Sequence, residues 1–421
     1  MDRNKQALGF EYFSSPEFLV LKRVRDWLPV LKQLGASAVV IQSGFDKAIP
    51  EDIFLAARDQ QLTPVVHFTM ELPLARKFNE VAFLMDVYAK WGVSEVILGN
   101  KPNSKSSWTA TAWHYDSIVD HFLDRFIPLA NHAVRAGLSP ALPPLQPGGD
   151  YWDTAFVELV LGGLKRRQME GILDCLSLTS YGYTFNKPLS WGAGGPERWL
   201  GVKPYQTPEG QQDQLGFNNY AWQNAMGLRA TGKNFPISIL DAGSSGMKFV
   251  QSNYQAMKKD IKTIYASILG KLAPNSSKTE MAVMLDDSVK QVFFSLDNIA
   301  KLMQNKISSK ELIEFFKEPK HAGKTIKSVE DSGKVFDHYL LLPVHTSGIS
   351  DVILNKIRPL IKHRQTTVGF SPSEAKFARK VSIYPDPIVF SDEVIDELRS
   401  AGCTVEILPD SGIDIATMIQ D

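Results

Sequence analysis

The chain has 421 residues, enough to bury one or more complete cores, and its 46 basic and 46 acidic residues cancel. This balance excludes a global field that would attract nucleic acid or an anionic membrane surface. The two cysteines, Cys175 and Cys403, are too few and too far apart in sequence for a disulfide framework or a cysteine-type zinc site.

The N-terminal ten residues lack the apolar core of a signal peptide, and no uninterrupted apolar run reaches membrane-spanning length. We therefore expect a soluble chain without membrane insertion. It would be cytoplasmic as it stands, or extracellular or in the cell envelope if a leader has been removed.

Short apolar runs alternate with amphipathic helical segments along most of the chain. The runs are continuous rather than alternating, as in parallel strands that are covered on both faces. The predicted strands, in chain order, are residues 7–13, 38–42, 64–69, 93–97, 138–142, 175–183, 235–243 and 280–285. The predicted helices between them are residues 17–33, 50–61, 74–91, 115–135, 154–171, 218–229 and 254–269.

Eight such strand-and-helix units predict an α/β fold, a closed (β/α)8 TIM barrel over residues 5–317. No Gly-x-Gly-x-x-Gly motif follows the first strand, which argues against an open nucleotide-binding sheet. Residues 318–334 are polar and predict a linker. Residues 335–421 predict a second, smaller α/β domain, with strands at 339–344, 366–370, 380–384 and 404–408.

The most informative motif is VSEVILGNKPN, residues 93–103, in which Gly and Pro end the fourth predicted strand and leave polar groups at its carboxyl end. It resembles the Gly-Asn-Glu-Pro signature of the clan A glycoside hydrolases, which are retaining sugar-cleaving (β/α)8 enzymes. The resemblance covers roughly residues 5–300. It implies that Asn100 is the family's asparagine and that Lys101 stands in the place of the catalytic acid/base glutamate.

Two further strand ends carry the resemblance. SYGY on the sixth predicted strand is similar to the segment whose tyrosine hydrogen-bonds the nucleophile, which implies roles for Tyr181 and Tyr183. ILDAG on the seventh resembles Thr-Glu-x-Gly and implies that Asp241 is at the nucleophile position. Barrel chemistry sits at the carboxyl ends of the strands, where other candidates also lie: Glu11, His67, Glu71 and Asp286.

A retaining glycosidase needs a carboxylic acid and a carboxylate about 5 to 5.5 Å apart. Lys101 has an ordinary pKa of about 10.4, so it is a weak proton donor near neutrality. Asp241 is one methylene shorter than glutamate, and a displacement of about 1 Å can cost about 10²-fold in rate. Both changes together predict that the usual double displacement does not run.

Aromatic residues predict a carbohydrate-binding surface around this site. The long loop after the sixth strand contains Trp191, Trp199 and Tyr205, and the fourth-strand loop contains Trp108 and Trp113. Their flat faces complement sugar rings, although each could instead pin its loop to the barrel rim. His67 has no partner at metal-binding spacing, so a hydrogen-bonded structural role competes with a binding role.

Three hypotheses follow. The first is a carbohydrate-binding, glycoside hydrolase-like barrel with little or no hydrolysis, needing no metal or cofactor. The second is an active glycosidase whose general acid is Glu71, Glu11 or Asp286. The third uses Lys101 as an imine-forming nucleophile. The predicted partner is a glycan. The end of the chain, residues 381–408 with 413–419, is distantly similar to bacterial cell-wall-binding repeats and predicts contact with the cell wall.

Overall fold

A computed structural model gives the architecture of the protein. It describes residues 7–44, 48–69, 72, 78–109, 112–114, 117–247, 253–269, 285–304, 307–317, 334, 336–343, 351–364, 366–386 and 389–409. The chain divides into two compact units, Met1–Pro319 and Lys320–Asp421. The predicted linker, residues 318–334, lies outside the described residues except for Lys334 and stays a prediction.

Eight parallel strands form a closed barrel in which each strand pairs with the next and the last pairs with the first. The predicted TIM barrel is confirmed. The strands are β1 (Ala7–Glu11), β2 (Ala38–Ser43), β3 (Thr63–Phe68), β4 (Glu95–Leu98), β5 (Ser139–Leu145), β6 (Ser177–Tyr181), β7 (Ile237–Leu240) and β8 (Val289–Ser295).

Helices surround the barrel, and most present an apolar face to it, as the amphipathic pattern requires. They are α1 (Leu21–Gln33), α2 (Glu51–Asp59), α3 (Phe78–Lys90), α4 (Ile118–Arg135), α5 (Asp153–Arg166), α6 (Glu170–Leu173), α7 (Gly195–Arg198), α8 (Asn219–Thr231), α9 (Tyr254–Ile268), α10 (Leu296–Leu302) and α11 (Ser309–Phe316). No described helix is both long and apolar enough to cross a membrane.

The last barrel strand lies later in the chain than the sequence indicated. The predicted strand at 280–285 lies outside the described residues except for Leu285, which is not in a strand. The strand that closes the barrel is β8, and it pairs with both β7 and β1. Asp286 therefore precedes β8, and its Oδ1 accepts a hydrogen bond from the Ser288 N–H at 2.9 Å. This places Asp286 at the amino end of the strand, so its predicted position at the carboxyl end was wrong.

Small and branched side chains fill the barrel interior, with tyrosines on β6 at its carboxyl end. This interior cluster consists of Ala38, Val40, Val65, Ile97, Ala141, Tyr181, Tyr183, Leu240 and Phe293. In β5, whose sequence is SPALPPL, the pairing with β6 shifts register between Leu142 and Leu145. Proline lacks an N–H for the ladder, and a bulge there re-aims the backbone at the barrel rim.

The second unit contains four parallel strands in the order β10-β9-β11-β12. The predicted smaller α/β fold is confirmed for this part. Its strands are β9 (Phe336–Leu341), β10 (Thr367–Gly369), β11 (Ala378–Ile383) and β12 (Thr404–Ile407), and its helices are α12 (Asp351–Arg364), α13 (Pro372–Ala375) and α14 (Asp392–Ser400). The cell-wall contact predicted for it stays a prediction.

Candidate functional site

The loop after β4 holds Lys101 in a strained backbone conformation at the barrel mouth. Gly99 has φ +113 and Lys101 has φ 48, a left-handed value that side-chain-bearing residues rarely adopt. The Lys101 N–H donates to the carbonyl of Pro144 at 2.9 Å, so the β5 irregularity supplies the acceptor that fixes this turn. Such strain persists where the surrounding structure over-determines it, and it is commonest at functional sites.

Asn103 holds the same loop against β5. It is fully buried, and its Nδ2 donates to the carbonyls of Gln146 and Tyr151 at 2.8 and 2.9 Å. Its Oδ1 accepts from the Gln146 N–H at 2.8 Å. The Gly-Asn-Lys-Pro-Asn segment is thus built into the rim of the barrel rather than free in solvent.

Lys101 lies over two tyrosine rings, one at the end of β6 and one two residues beyond it. Its Nζ is 4.8 Å from the ring centroid of Tyr181 and 5.5 Å from that of Tyr183. The two rings are stacked, with centroids 4.5 Å apart and planes 6° apart, because residues two apart on a strand point to the same face. The Tyr181 hydroxyl donates to Asn100 Oδ1 at 2.7 Å. The structure therefore brings four predicted site residues into one cluster.

Burial shifts the pKa of the lysine and the pKa values of the tyrosines in this cluster in opposite directions. It lowers the pKa of Lys101, while the charge of Asp241 partly opposes that shift. It raises the pKa of Tyr181 and of Tyr183 well above the ordinary tyrosine value. Both phenols stay neutral at physiological pH, and they keep their O–H groups as donors.

Asp241 occupies a matching strained position at the end of β7, with φ 51. Its backbone N–H donates to Glu11 Oε1 at 2.5 Å, across the end of β8. Its Oδ1 accepts from Asn298 Nδ2 at 2.5 Å. Asn298 lies in the first turn of α10, whose N-cap Ser295 accepts from the Asn298 N–H at 3.2 Å.

Two carboxyl groups thus share the β1 and β7 side of the mouth. Burial, then the charge of Asp241, raises the pKa of Glu11 to about 8. Burial raises the pKa of Asp241 to about 6, against the hydrogen bond from Asn298 and the charges of Lys101 and Lys301. Near pH 7 Glu11 is protonated and Asp241 is mostly ionised, which is the separation of pKa values that acid/base chemistry uses.

His67 of β3 is hydrogen-bonded to the turn that follows β4. Its Nε2 lies 2.8 Å from the Gly99 carbonyl, which can only accept, so Nε2 carries the proton. Burial lowers the pKa of His67 to about 4, and the ring is neutral at physiological pH. Its Nδ1 is buried and has no hydrogen-bond partner among the described residues. Glu71, another predicted candidate, lies outside the described residues.

The tryptophans of the β6–α8 loop are anchored within that loop. Trp191 and Trp199 are half-buried. Trp191 Nε1 donates to Asp213 Oδ1 at 2.9 Å, and the Nζ of Lys187 lies 4.2 Å from a Trp191 ring centroid. Trp199 Nε1 donates to the Ala193 carbonyl at 3.0 Å. Asp213 organises this loop, since it also binds Lys187 and Thr207.

Tyr205 and Trp108 lie in different surroundings. Tyr205 is 67% exposed, packs on Trp152 and accepts the Trp152 N–H at 2.9 Å, at the start of α5. Trp108 is buried, and its Nε1 donates to the Pro102 carbonyl at 2.7 Å. Trp113 packs on Trp108. Within the described residues, none of these five loop aromatics makes a hydrogen bond, ring contact or ion pair with Lys101, Tyr181 or Asp241.

Asn298 is the site residue that the sequence did not predict. Because β8 was expected too early, residues 296–302 had no assigned place at the mouth. Once β8 is placed at Val289–Ser295, Asn298 follows its carboxyl end by three residues, the position where barrel site residues lie. No group of three or more His, Cys, Asp or Glu residues that could hold a metal occurs among the residues that the structure describes.

A buried polar network supports β6 from the outside. Asn219 is fully buried; its Nδ2 donates to Asp153 Oδ2 at 2.8 Å, and its Oδ1 accepts from Ser180 Oγ at 2.9 Å. It also accepts from Gln223 Nε2 at 2.6 Å. Ser180 immediately precedes Tyr181, so this network fixes the strand that carries the paired tyrosines.

Asn219→Ala should lower the free energy of unfolding by about 3 kcal/mol, because it leaves several buried polar partners unsatisfied. Urea denaturation measures this change. Asn131→Ala on the exposed side of α4 is the control and should change stability by less than about 0.5 kcal/mol. Equal effects of the two substitutions would contradict the structural role of the network.

Comparisons with known proteins add the following. No protein-family model and no curated protein sequence matches the chain. A thermostable cellulase from an Icelandic hot spring isolate is similar in structure, with 10% identity, TM-score 0.41 and coverage of 70% of this chain and 76% of that chain. A mannanase catalytic domain from Streptomyces sp. SirexAA-E has 10% identity, TM-score 0.38 and coverage of 69% and 74%. A D-allulose 3-epimerase from Methylomonas sp. has 11% identity, TM-score 0.38 and coverage of 74% and 96%.

Proposed function

We propose that the barrel binds a glycan at the carboxyl ends of its strands and cleaves it little or not at all. The observation that carries this proposal is the position of Lys101, whose ammonium lies over the stacked rings of Tyr181 and Tyr183. In the resemblance to clan A glycoside hydrolases, this is the place of the acid/base glutamate. The two aromatic faces favour an ammonium at this position, and a lysine there lacks the carboxyl group that the retaining mechanism uses as its acid/base.

Asp241, at the position that the resemblance gives to the nucleophile, is also constrained. Its Oδ1 is engaged by Asn298, and its backbone N–H is engaged by Glu11. A carboxylate that is one methylene short and already hydrogen-bonded is displaced from the anomeric carbon that a glutamate would attack. The double displacement thus lacks both its acid and a well-placed nucleophile.

The same residues are suited to binding. Lys101 and the Asn100 amide supply hydrogen-bond donors, Tyr181 and Tyr183 supply ring faces, and Asp241 and Glu11 supply carboxyl groups. In this proposal Trp191, Trp199 and Tyr205 extend the surface along the β6–α8 loop, while Trp108 and His67 hold the β4 turn in place. A glycan would then meet aromatic faces and convergent polar groups, as ligand pockets require.

A second candidate is hydrolysis with Glu11 as general acid. The observation in its favour is that the pKa of Glu11 is raised to about 8 while its side chain contacts Asp241, whose pKa is raised to about 6. Such an enzyme would show a bell-shaped pH profile with its maximum near pH 7. Glu11→Gln would abolish that activity, since an amide cannot protonate the leaving oxygen.

Imine formation by Lys101 needs a neutral amine. Burial lowers the pKa of Lys101 and favours that form, whereas the charge of Asp241 and the tyrosine faces favour the ammonium. The third hypothesis stays a prediction, which reductive trapping of a carbonyl substrate on Lys101 tests.

A glycan array on the intact protein, paired with turnover of aryl glycosides by the same preparation, tests the proposal. We expect glycan binding that Tyr183→Ala weakens at least about tenfold, since a stacking face is lost, with hydrolysis at or near background. Phe83→Ala, which removes an aromatic side chain 65% exposed on α3, is the control. Turnover with a maximum near pH 7, abolished by Glu11→Gln, would favour the second candidate. Binding to no glycan would refute both.

A further inference from the structure

At the barrel mouth, the lysine, asparagine and tyrosine side chains come from different strand ends than the carboxyl groups. Asn100 and Lys101 follow β4, and the two tyrosines are at the end of β6 and just after it. Glu11 ends β1, and Asp241 follows β7. The Asn100 Oδ1 already accepts from Tyr181, which leaves its amide Nδ2 as the group that can bind a ligand. The donors that remain for a ligand next to the tyrosine rings are therefore the Lys101 ammonium and the Asn100 amide.

The ammonium of Lys101 has unused bonding capacity. It carries three N–H donors, and its contacts within the described part of the chain are the faces of Tyr181 and Tyr183 rather than an oxygen acceptor. No described carboxylate lies within ion-pair distance of it. A half-buried ammonium without an anion is costly relative to one that is paired.

The carboxyl groups on the other side are already engaged within the protein. Glu11 Oε1 accepts from the Asp241 N–H, and Asp241 Oδ1 accepts from Asn298. These bonds keep the negative groups on the β1 and β7 side. Among the described residues no carboxylate pairs with Lys101, so its ammonium can bind an anionic group of a ligand.

We propose that the bound glycan is acidic, with the carboxylate of a uronic acid residue paired to Lys101. This inference rests on the proposed function and names the class of sugar. A carboxylate on the sugar would satisfy the ammonium, accept from Asn100 Nδ2 and leave the ring faces toward the tyrosines. Hydrogen bonds between charged groups are about twice as strong as neutral ones, so the charge would dominate selectivity.

The charge of the mouth depends on pH, and several groups contribute. Besides Lys101 these are Asp241, Glu11, the neutral tyrosines, His67, and Asp297 and Lys301 on α10. Asp241 loses its proton near pH 6 and Glu11 near pH 8, so the mouth becomes more negative as pH rises. Affinity for an acidic sugar should be highest near pH 5 and fall through both transitions. A free sugar carboxyl, with a pKa of about 3.5, stays ionised throughout.

Calorimetric titration with an oligouronate and with its methyl ester at pH 5 tests the inference, because the ester has nearly the same shape and no charge. We expect the acid to bind about 10- to 100-fold more tightly than the ester. Lys101→Met should remove that preference. Lys105→Met, an exposed lysine in the same loop, should retain it.

Several results would overturn the inference. They are equal affinities of the acid and the ester, a preference that survives Lys101→Met, or an affinity that rises between pH 5 and pH 9. Selective binding of a sulfated oligosaccharide with no uronate binding would assign the site to another anion. If neutral glycans bind and uronates do not, only this inference fails, whereas binding to no glycan at all refutes the proposed function as well.

Discussion

Glu11→Gln should raise the free energy of unfolding by about 4 to 5 kcal/mol at pH 9 and leave it nearly unchanged at pH 4. The pKa of Glu11 is raised in the folded protein from 4.5 to about 8, so folding favours its protonated form. Its favourable contribution is complete below pH 4.5 and is lost as pH rises through 8. Glutamine keeps the oxygen that accepts the Asp241 N–H and carries no charge to bury.

Urea denaturation of both proteins at the two pH values measures this effect. Glu80→Gln on the exposed side of α3 is the control and should change stability by less than about 0.5 kcal/mol at either pH. A functional carboxyl is often retained at a cost in stability, so stabilisation by Glu11→Gln supports a functional site. Destabilisation at pH 9 would mean that ionised Glu11 holds the structure together, and it would contradict this reading.

Lys101→Glu combined with Asp241→Glu should give measurable hydrolysis of aryl glycosides, at least about 100-fold faster than Lys101→Glu alone. The single substitution restores an acid, but Asp241 remains one methylene short of the nucleophile position. With two glutamates at the ends of β4 and β7, mutual repulsion would raise one pKa and keep that group protonated. Initial rates of aryl glycoside turnover measure the difference.

The matched control for this pair is Lys101→Gln with Asp241→Glu, which has the longer carboxylate but no acid and should stay inactive. Robust hydrolysis by the unaltered protein that survives Asp241→Ala would contradict the roles assigned to both residues. Because Lys101 and Asp241 have left-handed backbone angles, φ 48 and φ 51, both variants need a check that their stability is retained.

The barrel could be predicted because buried parallel strands are continuous apolar runs separated by amphipathic helices. The eighth strand could not be located by that rule. Residues 281–285 of the predicted strand are all apolar, whereas β8 has Lys290 and Gln291 as its second and third residues. Lys290 pairs with the buried Glu95 of β4 at 2.5 Å. A rule that looks for local apolar runs cannot recognise a strand whose charged residue is paired with a residue far away in sequence.

The sequence predicted which strand ends form the site, but it did not predict which side chains contact each other there. The motif around Lys101 and the segment around Asp241 identified the turns that meet at the mouth. The bond from the Asp241 N–H to Glu11 joins residues far apart in sequence and depends on the left-handed turn after β7. Likewise, the anchoring of Trp191 by Asp213 follows from the folded path of a long loop, which side-chain type alone does not specify.

Proton NMR of an array-selected glycan incubated with the protein tests the central claim most directly, because one sample reports binding and cleavage together. We predict saturation transfer from protein to glycan, weakened by Tyr183→Ala, with no new reducing-end anomeric signals on prolonged incubation. New anomeric signals that appear with the unaltered protein and vanish with Asp241→Ala or Glu11→Gln would contradict it.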